Sequence, residues 1–212
     1  MNSIFGMDSP LIRGLTKFAD LVILNIVFLI TCIPIFTIGT GITSMYEITL
    51  KMVKNQEPYI FKGYLDAFKS NFKKCTKIWL IVLALFIIFI VDLYIISAND
   101  GDLWRMLQIV IFGFTMFLWI LIAYVFPLMA KFENTIKNTI VNAWYMVVKH
   151  FPTTITVVFF NTLFLICMMY NAYTLVYGIL AYLIIGFALI AYVNSIFLVK
   201  VFEKYYEKNE VE

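Results

Sequence analysis

Residues 76–97, TKIWLIVLALFIIFIVDLYIIS, and residues 103–129, LWRMLQIVIFGFTMFLWILIAYVFPLM, are long apolar runs separated only by Ala98-Asn-Asp-Gly-Asp102. A helix crossing a bilayer needs about 20 mostly apolar residues, and the Asn-Asp-Gly break is turn chemistry. The pair therefore predicts a transmembrane helical hairpin. Composition extends that reading to the whole chain, which has 212 residues, 63% hydrophobic, 18% aromatic and only 14% charged, with a mean hydropathy of +0.92. A soluble domain is roughly 45–50% apolar and roughly 25% charged, and one core of this length could not hide so much apolar surface from water. Disorder, a basic nucleic-acid-binding domain and a disulfide scaffold each need a polar or cysteine-rich composition, so the expected partner is the lipid bilayer and no nucleic acid. The predicted fold class is an all-α, polytopic helical membrane bundle, with residues 1–212 forming a single integral membrane domain.

Six spans are predicted: about Phe18–Phe36, Thr37–Val53, Thr76–Ser97, Leu103–Met129, Thr153–Tyr170 and Leu175–Val201, followed by a charged tail from Glu203 to Glu212. Pro34 marks the end of the first span or a kink in it, because proline lacks a donor and disfavours helix just before it. The second span is short, opens with small residues and contains Glu47, so it reads either as a crossing helix or as a re-entrant one packed within the bundle. With six spans, 15 of the 16 basic residues fall on the side of both termini, and Arg105 alone lies opposite. Positive charge is retained in the cytoplasm during insertion, so the protein is expected to be multi-pass with both termini cytoplasmic. The amino-terminal run lacks a small-residue cleavage site and is expected to remain in place. Cys32, Cys75 and Cys167 are isolated and read as small apolar residues in the reduced state.

Two of the cytoplasmic segments are amphipathic. From Ile60 to Lys77, Phe61, Tyr64, Leu65, Phe68 and Phe72 recur at helical spacing, while Lys62, Asp66, Lys69, Lys73, Lys74 and Lys77 take the opposite face. From Lys131 to His150 the stripe is Phe132, Ile136, Ile140, Trp144, Val147 and Phe151. Both are expected to be interfacial helices, anchoring the bundle in the headgroup layer or docking a cytoplasmic partner through Phe61, Leu65, Phe68, Phe72, Ile140 and Trp144. An offset of 76 residues places Asp66-Ala67-Phe68 on Asn142-Ala143-Trp144 and Lys73 on Lys149, which suggests a parallel repeat of residues 37–97 and 103–170.

Ionisable and amide side chains within apolar spans are the candidates for chemistry. Glu47 either faces a polar cavity, where it would bind a cation or proton, or pairs with Lys51 one turn on. Asp92, near the outer end of its span, is positioned to reach water or Arg105. Asn25, Asn161, Asn171 and Asn194 fit interhelical hydrogen bonding. Tyr170, Tyr173, Tyr177 and Trp104 suit an outer aromatic belt, and Trp79 and Trp144 an inner one. The single histidine, His150, has no carboxylate or second histidine near it in sequence to complete a metal site. No phosphate loop, nucleophile elbow or Cys–His pairing is present, so no catalytic residue, metal or cofactor is expected and the protein reads as a non-enzyme.

The segment from Asn25 to Lys74 resembles the YesL family of bacterial integral membrane proteins, a domain of unknown function. The resemblance rests on Asn25 in an apolar span, Ile33-Pro-Ile-Phe-Thr-Ile-Gly39, Ser44-Met-Tyr46 leading to Lys51, and Phe68-Lys-Ser-Asn-Phe-Lys-Lys74. Phe126-Pro127 leading to Phe132 also fits, whereas Thr40-Gly41 departs from the Gly-Pro that members often carry. Pro34, Thr37 and Gly39 form the motif turn, with small residues that permit close helix packing. The resemblance implies a bacterial cell membrane location and an accessory role in carbohydrate uptake or sensing, with a carbohydrate ABC transporter or its ATPase as the expected partner. It carries no catalytic residues. A self-contained small-solute permease or channel, lined by Glu47 and Asn25, is the alternative; the oligomeric state is left open.

Overall fold

The computed structural model describes residues 10–56, 59–99 and 101–209. Residues 1–9 of the expected amino-terminal stretch, Asp100 of the turn and the last three residues of the charged tail lie outside these. Among the described residues the chain is all-helical. Its elements are α1 (Pro10–Thr31), α2 (Ile38–Val53), α3 (Ile60–Ser97), α4 (Asp102–Lys131), α5 (Ile136–Lys149), α6 (Phe151–Met169), α7 (Ala172–Ala181) and α8 (Phe187–Asn209), with a short 3₁₀ turn at Ile35–Thr37 and a π-turn at Tyr182–Gly186. Among the described residues five helical stretches are long and apolar enough to cross a membrane: Leu11–Thr31, Ile60–Ser97, Asp102–Lys131, Phe151–Met169 and Ala172–Tyr205.

The expected second span is not among them. Helix α2 has 16 residues, about 24 Å of rise, which falls short of the roughly 30 Å hydrocarbon layer. Eleven of those residues are buried, including Gly39, Thr40, Thr43, Ser44 and Thr49. Its polar composition follows from its place, enclosed by α1, α3, α4 and α8. Its hydroxyls are satisfied along the helix (Thr43 Oγ1 to Gly39 O, 3.1 Å; Ser44 Oγ to Thr40 O, 2.8 Å) or across helices (Thr40 to Thr76, 3.0 Å; Thr49 to Ser195, 2.8 Å). Interhelical hydroxyl pairs of this kind hold helices together where water does not compete.

The reversal from α1 into α2 is set by Pro34, which is extended at φ −75° and ψ 118°. Thr37 then closes it: its buried hydroxyl lies 2.6 Å from both Thr31 O and Pro34 O. Trp79 Nε1 donates to Ile35 O at 2.7 Å, so the carbonyls that a helix end leaves without partners are met by side chains. Gly39 permits the approach of α3 and α4, since a Cβ there would lie 2.5 Å from Trp79 Cβ and 3.0 Å from Phe126 Cε1.

A second difference concerns the amphipathic segments. Residues 60–77 form no separate helix; they are the first half of the 38-residue α3, which runs unbroken through Lys73–Lys77 into the apolar half. A change of polarity does not interrupt backbone hydrogen bonding, and no glycine or proline stands at the change. The corresponding segment 136–149 is a helix of its own, started by the Thr135 cap on Asn138 N (3.3 Å) and ended at His150, with Pro152 opening α6. Proline fits the first helical turn because its missing N–H is not needed there.

Side-chain burial divides the molecule. The core gathers Leu24, Ile48, Tyr64, Cys75, Tyr124, Leu128, Leu198 and Phe202 around α2. By contrast the apolar half of α3, most of α4, and α6 with α7 expose Ile87, Ile90, Ile109, Phe114, Phe159, Ile166 and Val176. Exposed apolar helices of this length are suited to lipid, where their backbones need no outside partner.

Candidate functional site

Several chain segments meet at one end of the bundle. Lys17 Nζ donates to Asn55 Oδ1 at 3.2 Å, Lys54 pairs with Glu203 at 2.9 Å, and His150 Nε2 lies 3.0 Å from Tyr205 OH. These contacts bring together the start of α1, the end of α2, the α5–α6 junction and the end of α8. Arg105, at the start of α4, is about 39 Å of helix away from Lys131 at its end.

At the basic end a cleft opens between α2, α4 and α8. Its floor is apolar, from Leu50, Ala130, Val199 and Phe202, and its rim carries Glu47, Lys51, Lys54, Gln56 and Lys131. Glu47 is half-buried; its Oε1 accepts from Lys51 Nζ at 2.8 Å and its Oε2 from Asn71 Nδ2 at 3.4 Å. A carboxylate so held orients the lysine at its side and forms one wall of the cleft.

The other intramembrane candidates fall elsewhere. Asn25 is fully buried, and its amide hydrogens go to Tyr182 O (3.0 Å) and Leu183 O (2.9 Å) while its Oδ1 accepts from Ala188 N (3.1 Å). A π-turn takes backbone groups out of the regular ladder, and Asn25 supplies the partners from α1. Asn25 thus ties α1 to the π-turn and the start of α8. Asp92 is half-exposed on α3 and has no hydrogen bond or ion pair among the described residues; Arg105 approaches Asp102 instead, at 3.9 Å.

A polar cluster that spacing did not reveal lies where α2, α6 and α8 meet. Asn194 Nδ2 donates to Tyr46 OH (3.1 Å) and to Asn161 Oδ1 (3.2 Å), and Asn161 Nδ2 donates to Val157 O (2.8 Å). Asn194 Oδ1 is buried and has no partner among the described residues. The signal for this cluster was the presence of amides in apolar spans, but their sequence separation concealed that they meet.

The docking candidates divide as well. Leu65, Phe68 and Phe72 are partly buried against the bundle, and the Phe68 ring sits 6.2 Å from Tyr64 and 5.7 Å from Phe72. Phe61, Ile140 and Trp144 are exposed. On α5, Thr139, Ala143 and Met146 face inward, whereas Ile140, Val141, Trp144, Tyr145 and Val148 face outward. Trp144 rests edge-on against Phe117 of α4, with centroids 5.0 Å apart, so α5 folds back along α4. Lys149 lies over the Tyr145 and Tyr205 rings, and the hydrogen bonds its ammonium donates to these phenol oxygens hold it above the usual lysine range. Burial, reinforced by Lys204 and Lys149, holds His150 below the ordinary imidazole value. No group of three or more His, Cys, Asp or Glu side chains comes together among the described residues.

Residues 21–93 match the family described as "Protein of unknown function, DUF624", a stretch from α1 through α2 into the apolar half of α3. It contains the Asn25 clamp, the Pro34–Thr37 reversal, Glu47 and the first amphipathic segment. No curated protein and no solved structure matches the chain.

Proposed function

We propose that this protein is a non-enzymatic membrane subunit assisting a carbohydrate uptake or sensing system, with both termini in the cytoplasm of a bacterial cell, since α2, though shorter than a full span, carries the chain from the Pro34 reversal back to the end where α1 begins, with Lys17 Nζ 3.2 Å from Asn55 Oδ1. One observation carries the reading. Helix α5 and the start of α3 stand at the basic end of the bundle and turn Phe61, Ile140 and Trp144 outward, beside exposed Lys62 and Lys137. Exposed aromatic side chains such as Phe61 and Trp144 are the residue type enriched in protein-docking surfaces and their hot spots. The resemblance of Asn25–Lys74 to proteins expected near sugar transporters supports the choice of partner. The test is purification of the tagged chain from its native membrane in mild detergent. Permease or ATPase chains of a carbohydrate transporter should be recovered with it, and Ile140→Ser with Trp144→Ser should release them while leaving the chain in the membrane. Co-purification unchanged by these substitutions would count against the assignment.

A second reading, a small-solute permease, is favoured by the unpartnered Asn194 Oδ1 beside Tyr46 and Asn161. In this reading Glu47 sits at the inner mouth. Glu47→Gln should then alter flux in reconstituted vesicles, and wild-type vesicles that transport no sugar or ion would remove it.

A further inference from the structure

We infer that the polar cluster where α2, α6 and α8 meet is a binding site for one buried water molecule, held between the Tyr46 hydroxyl and Asn194 Oδ1. Asn194 is fully buried and Tyr46 is 8% exposed. The oxygen and nitrogen ends of an asparagine are told apart by their partners, and here the partners fix both amides. Val157 O can only accept, so the atom 2.8 Å from it is Asn161 Nδ2, and Asn161 Oδ1 is the end that faces Asn194. An oxygen 3.2 Å away requires Asn194 Nδ2 on that side, and the second hydrogen of this nitrogen goes to Tyr46 OH at 3.1 Å. Both amide hydrogens of Asn194 are thereby spent, and its Oδ1 has no donor among the described residues. Tyr46 shows the converse. Its oxygen accepts from Asn194, so its own hydrogen turns elsewhere, and no acceptor takes it among the described residues.

One unmet acceptor and one unspent donor therefore stand side by side. Tyr46 OH is 3.1 Å from Asn194 Nδ2 and Oδ1 is the other end of that amide, so a single oxygen can bridge the two at about 2.8 Å from each. A group that accepts from a phenol and donates to a carbonyl is a hydroxyl, and the smallest hydroxyl is water. Buried waters are found where polar groups are otherwise unsatisfied. A cation does not fit, because it cannot accept the Tyr46 hydrogen. The neighbouring carboxylate, Glu47, is engaged by Lys51 and Asn71, so a cation's charge would stand unbalanced in a buried site. The water adds a link between α2 and α8 one turn from the Thr49–Ser195 pair. It gives the orphaned oxygen a donor without any transported solute, so the inference goes beyond both readings of function and stands whether or not vesicles show flux.

The experiment is hydroxyl-radical footprinting of the full chain in a neutral maltoside detergent. A brief X-ray pulse makes radicals from water, and mass spectrometry locates the side chains they oxidise. Water held at Tyr46 yields radicals beside that ring, out of reach of a scavenger dissolved in the bulk. Tyr46 should therefore be oxidised several-fold faster than Tyr64 and Tyr124, which are 0% exposed but have their phenols paired with Thr31 at 2.6 Å and Thr154 at 3.0 Å. The scavenger should protect Tyr59, which is 86% exposed, and leave Tyr46 labelled. Asn194→Leu removes the unmet acceptor and should bring Tyr46 down to the rate of the other two buried tyrosines; an unchanged rate would count against the site. Wild-type Tyr46 oxidised no faster than Tyr64 and Tyr124, or protected by the scavenger together with Tyr59, would overturn the inference, and that comparison needs no variant to fold.

Discussion

Asn25 spends both amide hydrogens on carbonyls of the π-turn and its own carbonyl oxygen on Ala188 N–H at the start of α8. Replacing it with leucine leaves Tyr182 O, Leu183 O and Ala188 N without those partners in an apolar interior. Each such group costs about 1–3 kcal/mol when left unsatisfied, so Asn25→Leu should lower stability by roughly 2–4 kcal/mol, allowing for partial relaxation. Unfolding in detergent measures the loss, and Asn161→Leu, whose amide hydrogen returns to its own helix at Val157 O, should cost less. Gly39 makes a second test. Gly39→Val forces atoms against Trp79 Cβ, a position that cannot swing away, and should destabilise by about 1–3 kcal/mol, whereas Gly113→Ala, with open space around it, should be neutral or better. A buried amide in an apolar run announces a hydrogen bond between helices, and that much of Asn25 was legible. Its target was not, because Tyr182-Leu-Ile-Ile-Gly186 has the composition of any apolar helix. Glu47 was legible only as two alternatives, a cavity wall or a partner of Lys51, and its geometry joins both.

Among the elements, α2 is the one whose sequence spoke ambiguously, since a short run rich in Thr, Ser and Gly suits both a crossing helix and an enclosed one. Its enclosure by four other helices explains the hydroxyls. The continuity of α3 was not legible, because the change from an amphipathic to an apolar pattern near Lys77 is a change of side chains and leaves no mark on the backbone hydrogen bonding. The α5–α6 junction does break, and it holds His150 between Lys149 and the Tyr205 phenol. Burial first, and then Lys204 and Lys149, keep the imidazole below its ordinary value of 6.5. The folded chain therefore binds that proton less readily than the unfolded chain. Stability contributed at this junction should be intact above about pH 6.5 and decline as pH falls through and below that value. Unfolding of wild type and His150→Gln at pH 7.5 and 5.5 checks it: the wild type should lose more on acidification, and equal losses would assign the effect elsewhere.

For the molecule as a whole, the all-helical class with apolar helices of membrane-spanning length was legible, because it depends on composition and order alone. The cleft was not. It requires Lys51 and Lys54 to meet Lys131 and Glu203 across three helices, and no local pattern encodes that meeting. Orientation can be tested on oriented vesicles after the native cysteines are replaced. A cysteine at Lys137 or Lys69 should react with an impermeant reagent only when the cytoplasmic face is accessible, and one at Asn99 only from the opposite side. Labelling of Asn99→Cys and Lys137→Cys from the same face would refute two cytoplasmic termini.

The π-turn at Tyr182–Gly186 also sets an angular phase. A π-bulge corresponds to one residue more than an α-helical segment needs, and one residue is worth about 100° of rotation about a helix axis. Everything downstream, including Asn194, Ser195 and Glu203, faces its neighbours only because that surplus residue is present. Deleting one residue from 182–186 should restore a regular helix while swinging those three side chains off Tyr46, Thr49 and Lys54 together, so that the shortest possible lesion would disconnect the core cluster and the cleft at once.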